Sequence, residues 1–373
     1  MGSSRLVVGI DGRELQGRPT GTGRYLRNLL RRWRETGDEL VVFFNGPPPA
    51  DPALQYPNVT LRGVGDGKAR GLAWQERRLP AAAAADPLDV FFSPAYACPL
   101  SLRLPRVTAV HDLSFFSHPQ DFGVADAWRR RLLTTLSVGV SRGILACSEF
   151  TRRELSGRFP AAADRVTHVP LGPDDDLPAP PSRAQARRRL GLTGPFVITV
   201  GTVLNRRCAP ELLRAVARLA RRHPDLVLDI VGENRTHPRL DLPHLVASLG
   251  LGEHVRLSGF VDEAGLADRY AAADAAVSLS EYEGFGLPAL EAAARGVPLV
   301  AGEAPSLGEI FAPAALLVPP RNESAVAAAI ARVLVDPALR GRLVAAGRAL
   351  AGEYSWDRTA ALTRGVLLRA AGR

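Results

Sequence analysis

Two glutamates eight positions apart, Glu283 and Glu291, lie within the stretch SEYEGFGLPALEAAARG. Between them lies a Gly-Phe-Gly turn that follows an apolar run and leads into a helical pattern. Gly284 and Gly286 permit backbone conformations and close approaches that a side chain would block. Pro288 suits the first helical turn, where its missing N–H costs nothing. The amides of Phe285, Gly286 and Leu287 are then left at the positive end of a helix dipole, a ready anion site. Glu291, one turn inside the helix, and Glu283, at the end of the preceding strand, can aim carboxylates at the same ligand. A carboxylate only accepts hydrogen bonds, so it suits neighbouring hydroxyls such as those of a sugar. The chemistry this spacing implies is a phosphate at the helix start with a hydroxyl-rich ring on each side.

The elements that must position these groups follow a βαβ alternation along the whole chain. Strands are predicted at Leu6–Ile10, Leu40–Phe44, Val90–Phe92, Val107–Val110, Ile144–Cys147 and Val166–Val169. A segment dense in proline and acid, PLGPDDDLPAPPSRAQ, interrupts the series. The alternation then restarts with Phe196–Val200, Val227–Val231, Val255–Leu257, Ala275–Leu279, Leu299–Ala301 and Ala315–Val318. The expected fold class is α/β, two doubly wound Rossmann-like domains joined near Pro173–Pro181. Ligands of such sheets bind beyond the carboxyl ends of the strands, so a cleft between the domains is the expected site. His111, at the end of a predicted strand, belongs with residues of that kind. The Asp174–Asp176 run sits in the linker and reads as solvated charge rather than a metal site.

Composition narrows the chemistry further. The chain has 373 residues and a net charge of +9, carried almost wholly by arginine, with Lys68 as its sole lysine. Lys68 lies in GVGDGKARG, which does not complete a phosphate-binding GxxxxGK[ST] loop. The scarcity of lysine also argues against chemistry that needs a lysine Schiff base. Three scattered cysteines, Cys98, Cys147 and Cys208, fit a reducing cytoplasm without a disulfide framework. The opening MGSSRLVVGIDGRE passes straight from a polar lead into a strand and does not read as a signal peptide. The positive excess favours acidic ligands or an anionic membrane surface; nucleic acid is not an expected partner. YLRNLLRRWRE, AWQERRLP and DAWRRRLL mix arginine with tryptophan in the manner of interfacial helices, and of ordinary core-packing helices as well.

The glutamate pair around Gly-Phe-Gly-Leu-Pro resembles the donor-site signature of retaining GT-B glycosyltransferases of family 4. The resemblance extends over nearly the whole chain: GTGRYLRNLL, VTAVHDLSFF and ACSEFTRRELSGRF in the first half, then GTVLNRRCAPELLRAVARL, LDIVGEN, HVRLSGFVDEAGLADRYAAADAAVSLSEYEGFG and GVPLVAGEAPSLGEI. It implies the GT-B fold, with an acceptor-binding domain over residues 1–172 and a donor domain over 173–352. Residues 353–373 would be a helix crossing back to the first domain. Carried over residue by residue, Glu291 would accept from the donor ribose and Glu283 from the transferred sugar. Phe285, Gly286 and Leu287 would hold sugar and phosphate through their amides. Arg206 and Arg207 stand where the family has Arg-Lys on the donor diphosphate, and Cys208 replaces the usual Asn. Gly201 and Val261 would line the donor, the segment Gly259–Val261 meeting the base largely through backbone. Gly21 and Gly23 would form a loop over the diphosphate, His111 would lie beside the sugar, and Asp112 would orient that imidazole or meet the acceptor.

The resemblance also implies a hexosyltransferase that uses no cofactor and no metal. Its partners would be a nucleotide diphosphate sugar and a saccharide or lipid-linked acceptor. VHDLSFF resembles mannosyltransferases of surface-polysaccharide pathways, which favours GDP-mannose. The implied mechanism is same-face substitution with the leaving phosphate as base, so neither glutamate is a nucleophile. A sugar-nucleotide 2-epimerase of the same architecture and a non-catalytic nucleotide-sugar-binding subunit are the alternatives. The implied location is the cytoplasm, with peripheral contact at the inner face of the membrane.

Overall fold

The computed structural model describes residues 5–17, 20–68, 71–174 and 178–373. Arg18 and Pro19 of the glycine-rich turn, and Asp175–Leu177 of the expected linker, fall outside the described residues. The chain up to Phe116, with Ala125–Leu171 and Ser355–Arg373, makes one compact unit. Ser117–Val124 with Gly172–Tyr354 makes the other.

Among the described residues the first unit is built on seven strands: β1 (Val7–Asp11), β2 (Glu39–Asn45), β3 (Val59–Val64), β4 (Val90–Ser93), β5 (Arg106–Val110), β6 (Gly143–Ala146) and β7 (Val166–His168). Their order is β3-β2-β1-β4-β5-β6-β7, and every pairing is parallel. Val8 sits opposite Leu40 on one side and Val90 on the other. The apolar runs predicted from sequence became six of these strands. β3 was not anticipated: VTLRGV is broken by Arg62 and Gly63 and its residues are mostly half-buried, as suits an edge strand with no strong period.

Helix Gly21–Trp33 packs Tyr25, Leu26, Leu29, Leu30 and Trp33 inward and leaves its arginines half-buried. Trp33 is 2% exposed and its indole N–H donates to the Ala360 carbonyl at 3.1 Å. Arg364 of the last helix, Trp356–Ala371, holds buried Asp38 through two hydrogen bonds of 2.6 and 2.9 Å. Trp74 is fully buried and donates to the Val64 carbonyl. Two of the three tryptophan–arginine segments are therefore core-packing helices rather than interfacial ones. Burial decides this, since both kinds share one composition.

Among the described residues the second unit has six strands: β8 (Phe196–Val200), β9 (Val227–Val231), β10 (Val255–Gly259), β11 (Ala275–Ser278), β12 (Leu299–Gly302) and β13 (Ala315–Val318). The order is β10-β9-β8-β11-β12-β13, again all parallel. Strand order reverses between β8 and β11, where Val197 sits opposite Ala275. In the first unit the reversal lies between β1 and β4. Loops leaving the carboxyl ends of strands at such a switch point are where doubly wound sheets bind ligands.

Candidate active site

In the second unit the loops after β8 and β11 carry the residues singled out from sequence. After β8 the chain turns at Gly201, φ 120°, whose N–H donates to the Val231 carbonyl at 2.8 Å. A Cβ there would stand 2.1 Å from Arg207 Nη1, so glycine is what lets the arginine lie back across the turn. Arg206 and Arg207 follow on a single 3-10 turn, Asn205–Arg207. After β11 the chain reaches Glu283 and then Gly286, φ 96°, which starts helix Leu287–Ala294 with Pro288 in its first turn. A side chain on Gly286 would suffer both the left-handed backbone and a 2.6 Å approach to Leu307. Of Gly284 and Gly286, only Gly286 takes this conformation.

Both helices at the switch point begin without a side-chain cap. Helix Leu287–Ala294 starts from Gly286, and helix Ala209–Ala220 starts from Cys208 in a left-handed conformation, φ 51°. Elsewhere in this unit Asp241, Asp262, Asn322 and Asp336 each cap a helix with a side-chain oxygen, while the short helix Pro305–Phe311 also starts uncapped. The site thus keeps two helix N-termini whose first N–H groups are not met by a cap, an arrangement suited to an anion. The residue at 208 has to tolerate φ > 0, which explains why a family with Asn there is chemically consistent. Burial pushes the Cys208 thiol up to about 12, with Glu281 and Glu211 adding to it, so the group stays neutral.

The charged side chains are already paired. Arg207 Nε lies 2.7 Å from Glu283 Oε1, and Arg207 Nη1 donates to the Thr202 carbonyl at 3.2 Å. The Glu283 carboxylate accepts from Ser280 Oγ at 2.9 Å, and its backbone carbonyl accepts from Ser306 Oγ. Glu291 is 3% exposed and accepts from the Tyr270 hydroxyl at 3.3 Å. Arg206 is 8% exposed; its Nη1 lies 3.6 Å from Asp121 Oδ2, and its guanidinium sits 6.0 Å from the Phe122 ring centre. The Arg206 carbonyl accepts from the Glu281 amide at 2.9 Å, tying the two loops together. Phe285 is buried edge-on against Tyr354, so only its amide remains a candidate contact.

The sequence reading missed Asp121, Tyr270 and Ser280. Asp121 is distant in sequence from the arginine it meets, and Tyr270 reads as an ordinary core aromatic. Ser280, in contrast, stood inside the quoted motif, three residues from Glu283. Phe260, beside Val261 and following Gly259 at φ 59°, is 54% exposed and was passed over as well.

In the first unit Gly21 and Gly23 are not in a loop. They occupy the first turn of helix Gly21–Trp33, because Thr20 caps it by accepting from the Gly23 amide at 2.9 Å. A Cβ on Gly23 would meet the Glu14 carbonyl oxygen at 2.5 Å, whereas one on Gly21 would meet nothing. His111 follows β5, as expected. Its Nε2 donates to the Pro94 carbonyl at 2.9 Å, which leaves Nδ1 as the acceptor, and Tyr25 packs edge-on at 4.8 Å. Burial lowers the His111 pKa, opposed by the Pro94 hydrogen bond and the charge of Asp112. Asp112 Oδ1 accepts from the amide and hydroxyl of Ser114 at 2.9 and 2.7 Å, so the imidazole's hydrogen bond runs to Pro94 while Asp112 acts on it through charge.

Residues 182–350 match the family described as glycosyl transferases group 1, and residues 19–177 match glycosyltransferase family 4. The chain is 30% identical to an O-antigen chain mannosyltransferase B of Escherichia coli over 91% of this chain and 93% of that one. The chain belongs to glycosyltransferase family 4. An MMP alpha-(1->4)-mannosyltransferase of Mycolicibacterium hassiacum is 31% identical over 73% of this chain and 67% of its own length. Among solved structures, sucrose-phosphate synthase from Thermosynechococcus elongatus superposes with a TM-score of 0.81 at 24% identity, covering 98% of both chains. The Anabaena protein HepE, solved with UDP and glucose, gives 0.77 at 18% identity over 97% of this chain and 99% of that one. The fold of this glycosyltransferase is GT-B, two parallel Rossmann-like sheets, and its activity is that of a transferase.

Proposed function

We propose that this glycosyltransferase moves mannose from GDP-mannose, with retention at the anomeric carbon, to a saccharide or lipid-linked acceptor. The observation that carries the reading is the meeting of Arg207 and Glu283 at the β8/β11 switch point, beside two helix N-termini that lack side-chain caps. A diphosphate supplies the anion such a place favours, and a hexose supplies the hydroxyls a carboxylate accepts from. The names of the two mannosyltransferase relatives support mannose over other hexoses.

In this reading Arg206 and Arg207 stabilise the charge that grows on the diphosphate as the glycosidic bond breaks. They provide the positive charge locally, so the reaction needs no resident metal. The amides of Phe285, Gly286 and Leu287 hold sugar and phosphate, with Gly201 leaving room for Arg207. Glu283 fixes the transferred ring and Glu291 the ribose. Val261 and its neighbours meet the base, and exposed Phe260 offers it an aromatic face. In the first unit, neutral His111 contributes the Nδ1 lone pair to the sugar, and Asp112 and the helix start at Gly21 and Gly23 serve the acceptor and diphosphate. The acceptor hydroxyl attacks from the face the diphosphate leaves and passes its proton to the departing phosphate oxygen. The protein's contribution is position and charge, without a covalent intermediate. Three free, buried cysteines agree with a cytoplasmic site of action.

A panel of sugar nucleotides, followed by release of nucleoside diphosphate and by the anomeric configuration of the product, tests this. GDP-mannose should be turned over with retention. The reading fails when no donor is bound or turned over, or when Glu283→Ala leaves turnover unchanged.

A further inference from the structure

Three segments mix tryptophan with arginine, and the structure separates them by burial. Trp33 is 2% exposed and Trp74 fully buried, whereas Trp128 is 66% exposed. Trp128 heads a stripe along helix Val124–Val140: Leu132 is 59% exposed, Leu136 42% and Val140 38%, each four residues after the last. Spacing of four residues puts these side chains on one side of the helix, over about 18 Å from Trp128 to Val140. The opposite side packs Ala127, Leu133 and Val138 into the unit. The remaining exposed positions of the helix carry valine, alanine, threonine, glycine and Arg129, and no acid. Asp126, half-buried beside the stripe, is engaged by Arg129 and Arg130. Arg131 bonds to the Phe115 carbonyl and lies 5.9 Å from the Trp128 ring centre.

We propose that the outer face of helix Val124–Val140 docks on an anionic phospholipid surface, with Trp128, Leu132, Leu136 and Val140 entering the headgroup–acyl boundary and Arg129 and Arg131 meeting the headgroups. An exposed apolar row rimmed by arginine, with a tryptophan at one end, suits an interface that is apolar below and anionic above. The arginine stems add apolar length while their charges stay in water. The helix lies on the surface: no helix among the described residues is long and apolar enough to cross a membrane. A second copy of the chain fits the face less well. It would bring the arginines of this face together across two bodies that each carry +9. Lipid accounts for both the stripe and the sign of the charge around it.

The test uses the full chain and vesicles, with no sugar donor, so its result does not depend on the transfer reaction. Trp33, Trp74 and Trp356 are all buried, which leaves Trp128 to report contact by its fluorescence. Vesicles of equal parts phosphatidylcholine and phosphatidylglycerol should shift the emission to the blue and co-float the protein at low salt. Phosphatidylcholine alone should do so weakly, and added salt should reduce binding to the anionic vesicles. Leu132→Glu should weaken the anionic binding about tenfold or more. Val335→Glu, at an apolar position 66% exposed in the other unit, should leave it unchanged. Failure of the wild-type chain to bind anionic vesicles at low salt overturns the proposal. So does equal binding by Leu132→Glu, or a concentration-dependent dimer that Leu132→Glu dissolves, which would give the face to a second copy.

Discussion

Arg207 Nε stands 2.7 Å from Glu283 Oε1, so the cation expected on the diphosphate and the carboxylate expected on the sugar neutralise one another before any ligand arrives. The pair joins the loops after β8 and β11. With Glu283 13% and Arg207 22% exposed, neither charge is left unopposed in a partly desolvated position.

Glu283→Gln should therefore separate binding from transfer. The amide keeps the shape but loses the charge that pairs with Arg207 and, in the proposed role, orients the sugar. Transfer should fall about 100-fold or more. Affinity for the nucleoside diphosphate, read by calorimetry, should hold or tighten because Arg207 is released toward the phosphates. Parallel losses in both quantities would show that the pair serves folding alone.

Asp121 and Arg206 form a second pair, at 3.6 Å with side chains 4% and 9% exposed. The carboxylate stands near one end of the guanidinium at ion-pair distance, beyond hydrogen-bond reach, and Phe122 lies alongside. A guanidinium has five donors in a rigid fork, so its other edge can still serve a phosphate. Asp121→Asn should lower kcat about tenfold by loosening that orientation. In an Arg206→Gln background the same change should do almost nothing, since residues acting through one contact are non-additive. Independent, multiplying losses in this cycle would disprove a positioning role.

His111 should remain neutral at physiological pH. Burial lowers its pKa from the ordinary 6.5 by more than Pro94 and Asp112 raise it. As pH falls through 6.5 the unfolded chain takes up a proton that the folded chain refuses, so this group costs stability in acid rather than adding it. If neutral His111 is required, the acid limb of kcat/KM that His111→Asn removes should lie below pH 6.5. A limb at or above that value would contradict the burial argument.

Cys208 should resist alkylation in the native state. With the thiol held at about 12, almost none is thiolate at pH 8, and its 1% exposure blocks approach. Between its ordinary value of 9.0 and about 12, the unfolded chain loses the proton and the folded chain keeps it, so this residue makes folding less favourable as pH rises there. Mass spectrometry after iodoacetamide should find Cys208 modified only once the chain is denatured.

Asp229 should be the costlier residue to remove for stability. It is fully buried on β9, bonded to Arg269 Nε at 2.8 Å and to Ser258 Oγ at 2.6 Å. Asp229→Ala strands a largely buried guanidinium, which typically costs about 3–5 kcal/mol. Chemical denaturation should show this as a lower midpoint, and a change under about 1 kcal/mol would mean the pair is solvated.

Much of this protein was legible in the residues alone, because the signals were local. Apolar runs of strand length marked all the strands except β3, where Arg62 and Gly63 erase the period at a sheet edge. The helix start at Gly286 was written in Gly, Pro and the flanking carboxylates, since backbone angle and helix dipole act within a few residues. What only tertiary structure decided was which groups meet across long separations. Arg206 takes Asp121 as its partner, and Glu291 takes Tyr270, through packing that no spacing encodes. Trp33, Trp74 and Trp128 sit in nearly interchangeable sequence, yet two are core and one faces solvent, because burial depends on what the rest of the chain lays against each helix. Gly21 and Gly23 read as a loop, but Thr20 closes them into a first turn by a hydrogen bond that composition alone does not announce. Sequence determined the types of chemistry available, and the fold determined which of those groups were paired, capped or left exposed.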